Sequence, residues 1–464
     1  MYYLWKKQGA ADVFCSARRL WIEYRVDMAD SDLLDGMRQD WNERARQDPN
    51  YFVAFGRLQQ DDAEFFATAA DVVRGLRGEA RNLCAPGQPL PPQMKALEIG
   101  CGPGRIMRPL SADFAEIHGV DVSDEMIRLG KEKLRGIPNA HVHYIPNSDL
   151  SLFPDETFDF VYSYAVFQHI PSRDIVLRYL AEARRVLKTG GILRCQINSL
   201  PESSASRRYN TWDGVRIPAE DVADFALHHD FQLYAMEHAG TQYLWTTWRK
   251  RSAGWRANLR PVPAPAASIR IISNALTADP LVPASGPRAF ASLRIEHLPS
   301  DCDLLNLEVR IDGRSSQLSY LGPPEWDGVV QLIAAIPAGT RTGLVPVEVL
   351  WLGQPITAAW MRIVPPGPVV PRLCAVRDGV NLLSDTRIVS RTVKIKMEEI
   401  AHPEQLQVAI DNVPVERFDF FCTNPLEQHY DFDVALPAAV RAGPHHVTLT
   451  LGWRSFGPVV IEVA

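Results

Sequence analysis

Residues 96–104 read ALEIGCGPG. The apolar run of Ala96, Leu97 and Ile99 suits a buried strand. It breaks at Gly100, Gly102 and Gly104, which suit a tight turn where backbone approaches a ligand closely. The pattern from Arg105 to Phe114 is helical, so the turn lies between a strand and a helix N-terminus. Seventeen residues beyond Gly104, a second apolar stretch, IHGVDV, reaches Asp121. A carboxylate about 20 residues past a glycine turn is placed to grip the two hydroxyls of a ribose.

The spacing says more about the nucleoside. A dinucleotide turn is G-x-G-x-x-G, which here needs glycine at 105, and the residue is Arg105. The observed order is Glu98-x-Gly100-x-Gly102-x-Gly104. It resembles motif I of the class I S-adenosylmethionine-dependent methyltransferases, of the type 11/25-like kind. The resemblance continues in order through GVDVSDEMI (119–127), NSDLSLFPDETFDFVYSYAVFQHI (147–170) and RRVLKTGGILRCQIN (184–198), and covers roughly residues 40–250.

The resemblance implies S-adenosylmethionine as cofactor and assigns its contacts. The amides of the glycine turn (Gly100, Cys101, Gly102, Gly104) and Glu98 would lie around the methionyl end. Asp121 would take the ribose hydroxyls, with Val122 and Met126 along the adenine face. Relatives often carry an Asp-Ala pair before a Phe-Pro-Asp. Aligned on Phe153-Pro154-Asp155, that pair falls here at Asn147-Ser148, with Asp149 one place on, so the adenine contact falls to either Asn147 or Asp149. Turns favour these residue types in any case. The strand end at Ser163, Tyr164 and Ala165 would touch the sulfonium, with Gln168 and His169 opening toward the acceptor. His169 suits a general base near neutral pH, or caps the loop before Pro171.

The surrounding pattern is α/β. Strands are expected at 95–100, 116–122, 142–146, 158–164, 192–198, 231–238 and 241–249, with helices near 105–115, 123–135, 173–187 and 218–229. This alternation favours a mostly parallel sheet covered on both faces. The resemblance makes it a Rossmann-like seven-stranded sheet, its last strand antiparallel beside the fifth. Residues 1–94 read as an N-terminal helical extension or lid and 95–252 as the cofactor-binding domain. The Pro/Ala-rich 253–267 reads as a linker. Beyond it lie short alternating strands that repeat at an offset of about 100 residues. LRIE (293–296) answers VKIK (393–396), VRID (309–312) answers VAID (408–411), and PVEVLWLG (346–353) answers HVTLTLGW (446–453). Two tandem β-sandwiches, 268–366 and 371–464, follow, immunoglobulin-like in topology.

Composition narrows the functional classes. Up to position 252 there are 31 basic and 34 acidic residues, and 18 against 21 after it, so neither part offers a broad nucleic-acid surface. Seven scattered cysteines with no C-x-x-C spacing argue for a reducing, cytoplasmic setting and against structural zinc. The histidine pairs 141/143, 228/229 and 445/446 lack partners at ligand spacing, and no metal is expected. No apolar run is long enough to span a membrane. Arg207, Arg208, Tyr209 and Trp212 lie in a long loop, 199–218, that is a candidate acceptor loop.

The reading is a methyltransferase acting on a small-molecule or glycan-type acceptor by O- or N-methylation. The sandwiches would then serve substrate presentation or homo-oligomer contacts. The alternative is a binding or assembly protein whose sandwiches carry the function on a methyltransferase scaffold.

Overall fold

The computed structural model describes residues 24–25, 30–54, 59–201, 208–209, 211, 214–261, 266–367, 370–380, 386–400, 402–416, 418–424 and 428–464. Arg207 and Trp212 lie outside these residues. Four helices precede the sheet: α1 (Asp30–Gln47), α2 (Pro49–Ala54), α3 (Asp62–Ala67) and α4 (Ala70–Ala80). The sheet then begins with β1 (Lys95–Ile99), β2 (Glu116–Asp121), β3 (Ala140–Tyr144), β4 (Phe158–Ser163), β5 (Leu187–Ile197), β6 (Phe231–Glu237) and β7 (Leu244–Lys250). Between these strands run α5 (Met107–Leu110), α6 (Asp124–Lys133), α7 (Arg173–Val186) and α8 (Ala219–His228).

β1 to β5 are parallel, in the spatial order β5-β4-β1-β2-β3; β7 runs antiparallel beside β5, and β6 beside β7. The chain leaves β1 toward β2 on one side, and β4 returns on the other. The carboxyl ends of β1 and β4 therefore flank the crevice in which open α/β sheets bind ligands. Both faces of these strands are covered. Leu97, Ile99, Val161 and Leu193 bury against α7 and α8 on one side, while Ala96, Phe160, Tyr162 and Ile192 bury on the other.

The helices are set by their ends. Ser123 caps α6 by accepting from the Met126 amide at 3.0 Å, with Asp124 and Glu125 in the first turn and Lys131 and Lys133 in the last. Ser172 does the same for α7. The helix expected over 105–115 is confined to Met107–Leu110. The residues before it are taken up by the glycine turn, and Pro109 cannot donate to a longer helix.

The C-terminal part is all β, and its two repeats share one strand connectivity. Phe290–Glu296 pairs with Val330–Ala335 as Thr392–Glu398 pairs with His429–Ala435. Gly343–Trp351 bridges Leu307–Ile311 and Gln354–Val364 as Gly443–Leu451 bridges Leu406–Ile410 and Arg454–Val463. In the second repeat Ile395, Phe432 and Val434 of one sheet pack on Val408, Val447 and Ile461 of the other.

The first repeat is not a separate body on a tether. Its strand Leu318–Leu321 pairs antiparallel with β6 at Tyr320 and Ala235, so the sheet runs on through four further strands to eleven in all. The stretch expected as a linker is itself bound on both sides. Arg256 donates to the Phe231 carbonyl at 2.6 Å and to the fully buried Asp303 at 2.6 Å. Asp303 also accepts from the Leu233 amide, and Gln232 donates to the carbonyls of Ser300 and Cys302, each at 2.8 Å. A buried, fully bonded carboxylate at a seam makes the two parts hard to separate, because exposing one partner alone leaves the other uncompensated. Among the described residues no helix is long and apolar enough to cross a membrane.

Candidate active site

The turn after β1 is built from its own amides. Gly100 and Cys101 donate to the Val120 carbonyl at 2.8 and 3.0 Å, and Gly104 donates to the Cys101 carbonyl. Gly100, Gly102 and Gly104 all hold positive φ, which a side chain would strain. Gly119 carries a signal that spacing alone does not show. A Cβ there would lie 2.4 Å from Met107 Sδ and 2.7 Å from Cys101 Cβ, so a bare backbone on β2 lets the turn pack down. Cys101 fills this gap with its thiol buried, and burial raises that thiol well above its ordinary range. It is neutral packing, not a nucleophile.

Gly102 alone in the turn sends its amide to a side chain, Asp121 Oδ2, at 2.9 Å, while the Ser123 amide donates to Oδ1, also at 2.9 Å. Backbone donors on both oxygens, with the Val122 amide acting as a third, fix the carboxylate plane at the end of β2. That suits a pair of vicinal hydroxyls. Desolvation pushes Asp121 up from 3.8 to about 6, against the pull of these amides. Val122 and the buried Met126 follow on the same loop and first turn.

Glu98 lies behind the turn, almost wholly buried, accepting from Tyr162 Oη at 3.0 Å across the β1–β4 pair. Burial raises it from 4.5 to about 8, with the Tyr162 bond and nearby Arg105 opposing. Arg105, which follows the last glycine, is buried too. Its Nη1 donates to Thr68 at the end of α3, its guanidinium sits over the Tyr164 ring, and its Nε has no partner. Tyr164 in turn stacks on Trp245 of β7, with centroids 5.5 Å apart. Ala165 is held at φ 55, an unusual conformation for a residue with a Cβ, and its amide donates to Gln196 Oε1 of β5.

The Glu98 shift has a pH consequence. In the unfolded chain the group ionises near 4.5; in the fold it stays protonated to about 8. Its contribution to stability is complete below 4.5, erodes as pH rises, and is lost through about 8. We expect the melting temperature of the wild-type protein to fall between pH 5 and 8 more steeply than that of Glu98→Gln, whose amide stays neutral. Parallel curves in a thermal-shift series would refute this.

In the segment after β3, Asn147 and Asp149 lie beside each other, the Asn147 side chain bonding the Asp149 carboxylate, while Ser148 turns away from them. Asn147 is exposed at the loop tip. Ser148 is turned inward, accepting from Arg178 Nη1 at 2.8 Å, and Asp149 accepts from the Ser151 amide and hydroxyl. The Ser151 hydroxyl bond is the first cause holding Asp149 below its ordinary value.

His169 lies on the short turn Phe167–His169 after β4, largely buried. Its Nε2 is 3.3 Å from Gln168 Nε2, and Trp41 of α1 stands edge-on at 5.6 Å. That helix is fastened over the site by two sets of bonds. Asn42 Oδ1 accepts from Ser123 Oγ and its Nδ2 donates to Asp124, both at 2.6 Å. Two residues to either side of Asn42, Thr211 donates to Asp40 and accepts from Arg44, tying α1 to the long loop. That loop also pairs at Arg208–Tyr209 with Tyr24–Arg25. Asn42 and Trp245 reach the site from distant parts of the chain that no motif marks, whereas Arg105 and Gln196 lie within the matched stretches but take their roles from partners elsewhere in the fold.

His118 and His143, at the far edge of the sheet, face each other at 3.1 Å with Glu116 at 3.2 Å from His118. Among the described residues no three such groups gather as a metal site.

Comparison with known proteins agrees with the geometry around the turn. A family model described as a methyltransferase domain matches residues 97–195. Demethylmenaquinone methyltransferase of Staphylococcus aureus (strain MRSA252) is 33% identical over 111 residues, 23% of this chain and 44% of that protein. Phosphoethanolamine N-methyltransferase 2 of Caenorhabditis elegans is 27% identical over 141 residues, 29% of this chain and 32% of the relative. The chain thus spans less than half the length of these two relatives. Among solved structures, Haemonchus contortus phosphoethanolamine N-methyltransferase 1, in complex with phosphoethanolamine and S-adenosylhomocysteine, aligns over 49% of this chain and 51% of that one. The TM-score is 0.34 and the identity 14%. Residues 97–195 of this chain are a methyltransferase domain of the S-adenosylmethionine-dependent kind.

Proposed function

We propose that the whole chain is an S-adenosylmethionine-dependent methyltransferase that methylates oxygen or nitrogen of a small-molecule or glycan-type acceptor. The observation that carries this is Asp121, a carboxylate at the end of β2 oriented by the amides of Gly102 and Ser123, where it can accept from a ribose. Bound S-adenosylmethionine supplies an electrophilic methyl: the acceptor's lone pair forms the new bond to carbon as the carbon–sulfur bond breaks, and the acceptor loses a proton.

The chain's own residues hold, align and dry the site. Asp121 fixes the ribose, and Val122 and Met126 line the adenine with Asn147 or Asp149 at its edge. Glu98 and the unpartnered Nε of Arg105 are set at the methionyl end, Glu98 as a buried, protonated carboxyl whose carbonyl oxygen can accept from the amino group and Arg105 as a donor to the carboxylate. Tyr164 and Ala165 border the reacting methyl. His169 takes the acceptor's proton, held by α1 and Trp41 on the side away from the sheet. Helices α1 to α3 form the lid, and the contacts of Asn42 and Thr68 hold it closed.

The test is transfer of a labelled methyl group from S-adenosylmethionine into a fractionated extract of the source cell. Label entering metabolites or glycans is the expected result. Binding of S-adenosylhomocysteine without label in any fraction would favour a scaffold role for the fold.

A further inference from the structure

The corner that ends β4 is made by a residue out of its usual conformation. Ser163 donates its hydroxyl to the Ile99 carbonyl at 2.9 Å, which keeps the end of β4 beside the end of β1. Ala165 then holds φ 55, a region that residues with a Cβ avoid. The turn there sends its two neighbours to different partners. Tyr164 lies flat on Trp245, with ring planes 16° apart, and Val166 lies against Gly100, where only bare backbone leaves room for it. A backbone in this state persists only where its surroundings over-determine it.

The restraints come from β5 and β7. Gln196 of β5 is buried, and its Oε1 accepts from the Ala165 amide at 3.3 Å. In the antiparallel ladder Gln196 stands directly opposite Trp245 and Arg194 directly opposite Thr247, so these side chains share one face of the sheet. The Arg194 guanidinium lies over the Trp245 ring, 4.6 Å from its centroid. It is fixed there by Glu237 of β6 at 2.9 Å and by Thr247 at 2.7 Å, and the Thr247 hydroxyl donates onward to Glu79 of α4 at 2.9 Å. The first repeat pairs with β6 at Ala235, two residues before Glu237. Printed in this way across four strands and a helix, the contacts converge on one peptide. A bond to the Ala165 amide and a ring stacked on the Tyr164 side chain hold the Tyr164–Ala165 peptide from both sides.

We propose that Gln196 and Trp245 are positioning residues for methyl transfer: they hold the Tyr164–Ala165 peptide in its left-handed turn and so set the surface against which methyl donor and acceptor are aligned. This rests on the methyltransferase reading above and deepens it. In-line displacement tolerates little misalignment, so loosening the corner costs rate more than it costs the grip on the nucleoside. Asp121 and the glycine turn keep bonds of their own, none of which involves either residue.

The experiment uses the full chain, labelled S-adenosylmethionine and the source-cell extract fraction that the wild type labels, raised until wild-type incorporation saturates. Gln196→Leu and Trp245→Leu should each lower the saturated rate by about ten-fold or more. The half-saturating amount of the fraction and the calorimetric affinity for S-adenosylhomocysteine should change by no more than about three-fold. Trp245→Phe, which keeps a ring to stack on Tyr164, should lose less than Trp245→Leu. Glycine adopts the left-handed turn without needing the Gln196 bond, so adding Ala165→Gly to Gln196→Leu should restore part of the lost rate. Saturated rates equal to wild type in Gln196→Leu and Trp245→Leu would overturn the proposal. So would a loss of rate matched by an equal loss of S-adenosylhomocysteine affinity, or no recovery in the double variant. A wild type that labels no fraction would instead overturn the enzymatic reading on which this one stands.

Discussion

Asp121→Ala should bind S-adenosylhomocysteine roughly 5- to 150-fold more weakly than wild type, the equivalent of about 1–3 kcal/mol for losing a charged hydrogen-bond acceptor. The loss has two parts. Two ribose hydroxyls lose their acceptor, and the amides of Gly102 and Ser123 lose theirs, so the turn that shapes the methionyl end is no longer pinned to β2. Asp121→Asn separates these parts. Its amide presents one acceptor oxygen, so one backbone bond persists while an NH2 group meets the other amide donor. Calorimetry should place it between wild type and Asp121→Ala at neutral pH. Since burial lifts Asp121 to about 6, wild-type affinity should also fall as pH drops through 6, and the alanine variant should lose that dependence. Equal affinity of Asp121→Ala and wild type would remove the ribose assignment.

Much of this architecture is visible in the chain because parallel strands covered on both faces read as mostly apolar runs with few polar interruptions. ALEI, IHGVDV and FDFVYS each end where a glycine or a polar residue meets the crevice. The repeat at an offset of about 100 residues is visible for a related reason: inward positions alternate, so LRIE and VKIK keep the same face buried. What joins the parts is not visible. The eleven-stranded sheet depends on one antiparallel bridge, Tyr320 to Ala235, and the seam depends on Asp303 receiving Arg256; neither leaves a local pattern. The same holds at the site. Glu98, the glycines and Asp121 lie within one strand–turn–helix–strand unit, whereas Arg105 acquires its meaning from Thr68 and Tyr164, and Asn42 from Ser123. Pro- and Ala-rich texture suggested a free linker at 253–267, but composition could not report that Arg256 is a buried ion-pair partner.

The glycine turn offers the sharpest test of how tightly the two loops of the crevice interlock. A Cβ on Gly100 would fall 2.4 and 2.6 Å from the two methyls of Val166, and Gly100 sits at φ 74. Gly100→Ala therefore meets two separate penalties. The left-handed conformation costs an L-residue about 1–2 kcal/mol, and overpacking against Val166 about 1–3 kcal/mol. Destabilisation of about 2–5 kcal/mol is expected in urea unfolding, together with loss of S-adenosylhomocysteine binding. Adding Val166→Ala to the same chain removes the collision but not the backbone strain. The double variant should regain part of the stability and remain about 1–2 kcal/mol below Val166→Ala alone. Additivity of the two substitutions would mean that the loops after β1 and β4 do not touch. A positive coupling energy would mean that the turn at the methionyl end and the strand end at the methyl group form one packed unit, so that neither can be reshaped for a different acceptor without disturbing the grip on the cofactor. Acceptor specificity must then be written on elements outside this packed unit.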